Sequence, residues 1–353
     1  MHDMLRHLIR RGALVLAISL ALVPAVARAD EVLRAELAGR QMSAADAAEL
    51  EAQLRQEPNH LASHIRLANY YMGQPTAEAR SARTTHVLWI IRHHPASRAA
   101  GNPAFQLLPG IDGKAYDQAR DAWLEQTETH GNDAQVLGNA AKFFLISDRE
   151  RAKQLLLRAK SLEPASSEWP RQLGHLYQLD LMGAPKGSRP ATARQALHEL
   201  ETSLIGAAAA DRWANLVNVA KAAFEAGEHD KARSYANELL ADAPGQEQSW
   251  NYGNAIHHGN LILGRLALLS GDTPRASDYL LAAGRTPGSP QLNSFGPNMI
   301  LAKELLEAGE QAAVLQYFEL CGNFWTLHSG RLEAWAESIA DGEAPIFGAN
   351  LAY

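Results

Sequence analysis

The chain has 353 residues, 46% of them apolar, with 33 Lys and Arg against 39 Asp and Glu and a formal net charge of −6. That balance argues against a general nucleic-acid binder, whose affinity rests on clustered basic residues neutralising phosphates. A lone cysteine, Cys321, excludes an intrachain disulfide framework, so a packed core must hold the fold, and a chain of this length can supply one.

In chain order, the first expected element is an export signal. Arg6, Arg10 and Arg11 precede an uncharged apolar run, Gly12 to Val26, which ends at Ala27-Arg28-Ala29 before Asp30 and Glu31. Basic residues, a short apolar run and small residues flanking a cleavage point are the order of a secretory signal. The run is shorter than the roughly 20 residues of a membrane span, and no cysteine follows it to carry a lipid. The pattern predicts a signal over 1–29, cleavage after Ala29, a periplasmic or secreted location and no stable membrane insertion afterwards. Such cleavage would remove four of the 33 basic and one of the 39 acidic residues, leaving 29 against 38, a net charge of −9.

Residues 30–57 read as an N-terminal helical cap, with a helix opening on Ser43-Ala44-Ala45-Asp46, a capping-box-like start, and running to Gln56. From 58 to 325, small and large apolar residues recur on a 34-residue frame. Ala140, Phe143, Ala152, Leu156, Ala159 and Pro164 fall at its positions 8, 11, 20, 24, 27 and 32. Leu173, Gly174 and Tyr177 open another unit, which "MGAPKGSRPAT" interrupts. Ala220, Gly227, Ala232 and Pro244 keep the frame, as do Leu263, Gly264, Gly271, Ala276, Leu280 and Ala283. Ala302, Leu305, Gly309, Phe318 and Cys321 form a last unit, and Leu67, Ala68 and Tyr71 begin one near the N-terminus. Small residues at positions 8, 20 and 27 let two helices approach closely, large ones at 11 and 24 fill the groove between them, and glycine at 15 ends the first helix. Insertions are expected near 95–113, 182–192 and 286–298. Residues 326–353 read as a capping helix, "LHSGRLEAWAESIAD", followed by a loose tail; Phe318, Phe324, Trp325 and Trp335 are its expected joint with the last repeat. No useful period-2 alternation appears, so no β-structure is expected.

These repeats resemble the tetratricopeptide-repeat family. The resemblance implies an all-α fold, a right-handed α-solenoid of antiparallel helix pairs, with a protein or peptide partner bound in a concave groove lined by the first helix of each pair. It places groove residues at position 9, which is Asn69, Ala141, His175, Lys221, Arg265 and Lys303 in successive units, and at position 5, which includes Arg171. A basic row on an acidic protein points to an acidic or carboxylate-bearing peptide, because arginine grips a carboxylate with two hydrogen bonds. In "SWNYGNAIHHGNLILGR", Asn251, Asn254, His258, Leu261 and Arg265 recur at helical spacing on that same face, and asparagine serves both donors and acceptors of a bound backbone.

The stretch "TPGSPQLNSFGPNM", 286–299, is longer than a repeat turn needs. Its prolines favour an ordered loop, with Leu292 and Phe295 as anchors and Gln291, Asn293, Phe295 and Asn298 at the groove rim, where with Trp250, Tyr252 and Asn254 they could shape a pocket. The alternative is a metal-dependent or other hydrolase using the polar groove around His258. His60 and His64 have metal-ligand spacing on a helix but lack the glutamate of HExxH. The adjacent pairs His257-His258 and His93-His94 point to different sides of a helix. No nucleophile elbow, phosphate loop or dinucleotide fingerprint is present, and Cys321 reads as core. The expectation is therefore a noncatalytic scaffold or adaptor of the cell envelope, with no catalytic residue, cofactor or metal and no nucleic-acid partner.

Overall fold

The computed structural model describes residues 31–185 and 187–351, so the expected signal lies outside the described residues. Among them no strand occurs. The chain divides into two compact units, Met1–Pro164 and Ala165–Tyr353, and the division runs through the repeats rather than at either end of them.

The first unit contains α1 over 31–40, α2 (Ala44–Gln56), α3 (Leu61–Met72), α4 (Ala77–His93), α5 (Pro109–Asp112), α6 (Lys114–Thr129), α7 (Ala134–Phe144) and α8 (Arg149–Leu162). Ser43 and Asp46 form the expected capping box at the start of α2, each satisfying a backbone donor that the helix itself cannot. The pairs α3/α4 and α7/α8 pack face to face. Ala140, Ala152 and Ala159 are fully buried where α7 meets α8, with Leu156 filling the space between. The insertion at 95–113 is ordered: Asn139 Nδ2 donates to the Pro95 and Ser97 carbonyls, Arg83 donates to those of Ala104 and Gln106, and Phe105 and Leu107 enter the core.

The second unit is an all-α solenoid of helix pairs. Its elements are α9 (Glu168–Gly183), α10 (Arg189–Ser203), α11 (Ala209–Glu225), α12 (His229–Ala241), α13 (Tyr252–Leu269), α14 (Thr273–Gly284), α15 (Pro290–Phe295), α16 (Ile300–Glu307), α17 (Gln311–Gly322) and α18 (Arg331–Ala340). First helices α11, α13 and α16 pack successively against one another, and each second helix packs on its own first helix and on the next pair. Gly227, Gly271 and Gly309 end first helices with φ of 80°, 81° and 91°, a left-handed turn that glycine adopts without a Cβ clash. The interruption at 182–192 is in large part helix: α9 runs to Gly183 and α10 begins at Arg189, with Pro190 in its first turn.

Gly174 shows how tightly these pairs are set. A Cβ there would lie 2.5 Å from Leu200 Cγ and 3.3 Å from the Leu200 backbone nitrogen. Gly174→Ala is expected to destabilise the protein by about 1–3 kcal/mol through overpacking, measured as a lower urea midpoint; an unchanged midpoint would show that α9 and α10 can separate freely.

At the C-terminal end, Phe318, Phe324, Trp325 and Trp335 are buried together, with ring centroids of Trp325 and Trp335 5.8 Å apart. The tail is not loose, contrary to the sequence expectation. Phe347 is buried against Phe318 and Trp335, Trp335 Nε1 donates to the Ile346 carbonyl, and Asn350 Nδ2 donates to the carbonyls of Phe295 and Pro297. The Met299 amide donates back to the Asn350 carbonyl at 2.8 Å. The tail thus satisfies backbone groups that the proline-rich connection leaves over.

Candidate functional site: the first-helix face of the second unit

Because α9, α11, α13 and α16 are the first helices of successive pairs, the residues expected in the groove occupy one layer of the second unit. Arg171 and His175 stand one turn apart on α9, Lys221 on α11, Asn254, His258 and Arg265 on α13, and Lys303 on α16; Asn251 immediately precedes α13 and its side chain makes no capping hydrogen bond. The layer is joined laterally. Asn218 Nδ2 donates to His175 Nε2 at 3.2 Å, linking α11 to α9, and Gln178 Nε2 reaches the Asn218 carbonyl at 3.0 Å. Arg265 links α13 to α16 and α11.

The basic row separates into two kinds. Arg265 is committed: its Nε and Nη2 bind the Glu304 carboxylate at 2.8–3.0 Å, its Nη1 lies 3.6 Å from Glu225, and its guanidinium sits 4.2 Å over the Phe224 ring. Glu225 is shared with Arg189, whose Nη2 lies 2.8 Å away. Lys303 pairs with Glu307 one turn on. Neither is a free cation, which corrects the expectation of an open stripe through both. His175 is not cationic either: burial, with the nearby Arg171 adding to it, pushes its ring down to about 4. His258 is buried and is held well below its ordinary value by burial, by Lys221 and by His257.

Arg171 and Lys221 differ from the rest. Among the described residues neither side chain has a hydrogen bond or ion pair. Arg171 is half-buried beside His175, and Lys221 is half-buried beside His257 and His258. Desolvation pushes the Lys221 ammonium down to about 8, because the surrounding protein offers it no carboxylate in place of water. Arg171, His175, Asn218, Lys221 and His258 therefore form a run of neighbours across α9, α11 and α13, with a bare cation near each end. Asn218, three residues before Lys221 and so on its face of the helix, was legible by spacing but belongs to no groove position of the repeat frame.

The asparagines and the rim loop play a different part. Asn254 Nδ2 donates to Asn251 Oδ1 and Gln291 Oε1, both at 3.0 Å, and its Oδ1 accepts from Ser289 Oγ at 2.7 Å. Thr286 Oγ1 donates to the Gly253 carbonyl at 2.7 Å, and a Cβ on Gly253 would fall 1.8 Å from the Gly288 carbonyl oxygen. Asn293 Oδ1 accepts from the Thr326 amide and hydroxyl, and Asn298 Oδ1 accepts from the Ile300 amide. The expected rim residues thus spend these groups holding 286–299 in place, and the loop is ordered around the short helix α15. Leu292 is the buried anchor, whereas Phe295 is 65% exposed and Trp250 69% exposed, which corrects the expectation that Phe295 anchors the loop.

Among the described residues no group of three or more His, Cys, Asp and Glu is placed to hold a metal. His60 Nδ1 is engaged with Ser63 Oγ, and His64 faces the Pro58 carbonyl and His86. Cys321 is fully buried and burial pushes its thiol up, the opposite of what activates a nucleophile. No described helix is long and apolar enough to cross a membrane.

No family model and no curated protein matches the chain. Among solved structures it is similar to a tetratricopeptide repeat protein from Parabacteroides merdae ATCC 43184, with 13% identity over 83% of this chain and 96% of that one and a TM-score of 0.43. It is also similar to PilW, a widely conserved type IV pilus biogenesis factor, with 14% identity over 78% of this chain and 98% of that one and a TM-score of 0.39.

Proposed function

We propose that this chain is a noncatalytic protein-binding scaffold of the cell envelope, and that the first-helix face of its second unit receives a carboxylate-bearing peptide segment at Arg171 and Lys221. The envelope assignment rests on the signal-like order of residues 1–29. The observation that carries the binding site is the pair of cations that have no counter-ion among the described residues, whereas Arg265 and Lys303 in the same row do. A half-buried ammonium with no carboxylate beside it is a cost to the fold, and a bound carboxylate removes that cost while Arg171 supplies a second, forked grip. His175, which lies between the two cations, is neutral, so it adds hydrogen-bonding capacity without adding charge.

Hexaglutamate is the simplest probe, with hexaglutamine as its neutral control. Calorimetric titration is expected to show saturable binding of hexaglutamate that weakens as salt is raised, and none of hexaglutamine. Lys221 carries its charge below about 8, so affinity is expected to hold from pH 6 to 7 and fall as the pH rises through 8. Equal binding of the two peptides, or a profile flat to pH 9, would reject Lys221 as the contact.

A further inference from the structure

In the first unit, side chains from three helices are strung in series between hydrogen-bond acceptors. His64 Nε2 lies 3.0 Å from the Pro58 carbonyl oxygen, His64 Nδ1 lies 3.0 Å from His86 Nδ1, and His86 Nε2 lies 3.0 Å from Glu51 Oε1. The same Glu51 oxygen accepts from the Tyr71 hydroxyl at 3.0 Å. Both imidazoles are buried; His64 is stacked on Trp89 at 3.7 Å and His86 lies parallel to Tyr71 at 5.9 Å. Glu51 belongs to α2, His64 and Tyr71 to α3, and His86 to α4.

The hydrogens can be counted. A carbonyl oxygen only accepts, so His64 Nε2 must donate to Pro58. A neutral His64 then presents a lone pair at Nδ1, and His86 Nδ1 must donate to it. The Tyr71 hydroxyl, pushed up to about 12 by burial and by its bond to Glu51, keeps its own proton and cannot supply another. Two neutral imidazoles hold two protons, but the series contains three contacts. A neutral His86 would aim a lone pair either at His64 Nδ1 or at the Glu51 carboxylate, across 3.0 Å of protein interior.

Burial works in the other direction. It pushes His64 down to about 4 and lowers His86 as well, with Glu51 opposing the shift at His86. For His64 the two demands agree, since a neutral His64 is what the series needs. For His86 they conflict, and the bonding decides: both of its nitrogens face acceptors, so the proton is held by partners on two sides while its charge is matched by Glu51. The other titratable groups facing the rings are Tyr71 of α3 and His93 of α4.

We infer that the His64–His86–Glu51 series holds three protons at neutral pH, the third at the His86–Glu51 contact, and that it acts as a pH-sensitive latch joining α2 to α3 and α4. A proton held more tightly in the folded than in the unfolded chain stabilises in full below the ordinary histidine value, and that stabilisation is lost as the pH rises through the latch's own, higher value. The element set free is α2, which apolar contact of Ala47, Leu50 and Leu54 with Leu67, Tyr70 and Tyr71 also holds.

Two measurements on the full chain test this. Imidazole ¹⁵N resonances of His86 at pH 7 are expected to show hydrogen on both nitrogens; a single protonated nitrogen would overturn the latch. In Glu51→Gln the amide can donate to a neutral His86 while its carbonyl still accepts from Tyr71, so the series closes with one proton fewer. Amide exchange in α2, corrected for its intrinsic rate, is expected to quicken by up to roughly tenfold per pH unit between the ordinary histidine value and the latch's own higher value in the wild type, levelling off above it, and to stay level throughout in Glu51→Gln. The same slope in both proteins would overturn it.

Discussion

Replacing His257 by phenylalanine is expected to lower the stability of the second unit by about 2–6 kcal/mol, since two buried polar groups lose their partners at about 1–3 kcal/mol each. His257 is fully buried near the start of α13. Its Nδ1 lies 3.2 Å from the Ala283 carbonyl at the end of α14, and its Nε2 accepts the Asn298 amide at 3.1 Å. One ring thus fastens a first helix to its own second helix and to the connection leading into the next pair. Phenylalanine fills most of the space but neither accepts from Asn298 nor donates to Ala283. Urea unfolding reads the loss, and limited proteolysis is expected to open the chain within 286–299; a stability within about 0.5 kcal/mol of wild type would place the fastening elsewhere. The same bonds require a neutral ring, and burial pushes His257 down to about 4. A histidine whose folded value is depressed contributes stability above its ordinary 6.5 that is lost as the pH falls toward 4. Acid therefore loosens the second unit through His257, whereas the latch at His86 gives the first unit the opposite dependence.

The second large effect concerns binding. In the double variant Arg171→Glu and Lys221→Glu, each charge-assisted bond lost is worth about 1.5–3 kcal/mol. Two of them remove at least about 100-fold in affinity for hexaglutamate, and repulsion from the introduced carboxylates adds to that. Among the described residues neither cation has a hydrogen-bond or ion-pair partner, so the variant is expected to keep, or slightly raise, its unfolding midpoint. Lys303→Gln is the control: its ammonium already pairs with Glu307 on the surface, and such exposed pairs contribute little, so hexaglutamate binding is expected to be unchanged. Equal losses in the double variant and in Lys303→Gln would indicate general attraction between the peptide and the protein's basic groups.

The repeat frame could be read from sequence because it is enforced locally. Ala140, Ala152, Ala220, Ala232, Ala276 and Ala302 are all fully buried, since only a small side chain lets paired helices approach, and the glycines at position 15 announce their turns by the same steric rule. The fate of the charges was not local. Arg265 meets Glu304, 39 residues away, and no spacing rule within a helix reports a partner on the next repeat. The tail was misread for a similar reason: "IFGANL", 346–351, has no periodicity, and its order comes from carbonyls at 295 and 297 that need the Asn350 amide. Gln291 and Asn293 spend their side-chain oxygens on Asn254 and Thr326, and Asn298 Oδ1 accepts from the Ile300 amide, so these side-chain oxygens cannot be counted as free recognition groups. Asn218 and Glu225 were passed over because the repeat frame directs attention to positions 5 and 9, while the lateral contacts between first helices fall at neighbouring positions.

The carboxylate site is tested most directly by coupling. Carbodiimide activation of hexaglutamate lets an unprotonated amine close to a bound carboxylate attack it and form an amide. Lys221, with its ammonium pushed down to about 8, supplies that amine more readily than an ordinary surface lysine does. The expected result, read by peptide mass spectrometry at pH 7.5, is a dominant adduct on Lys221 that unmodified hexaglutamate competes away. Adducts spread over Lys231, Lys303 and other surface lysines, with Lys221 unmodified, would contradict the site.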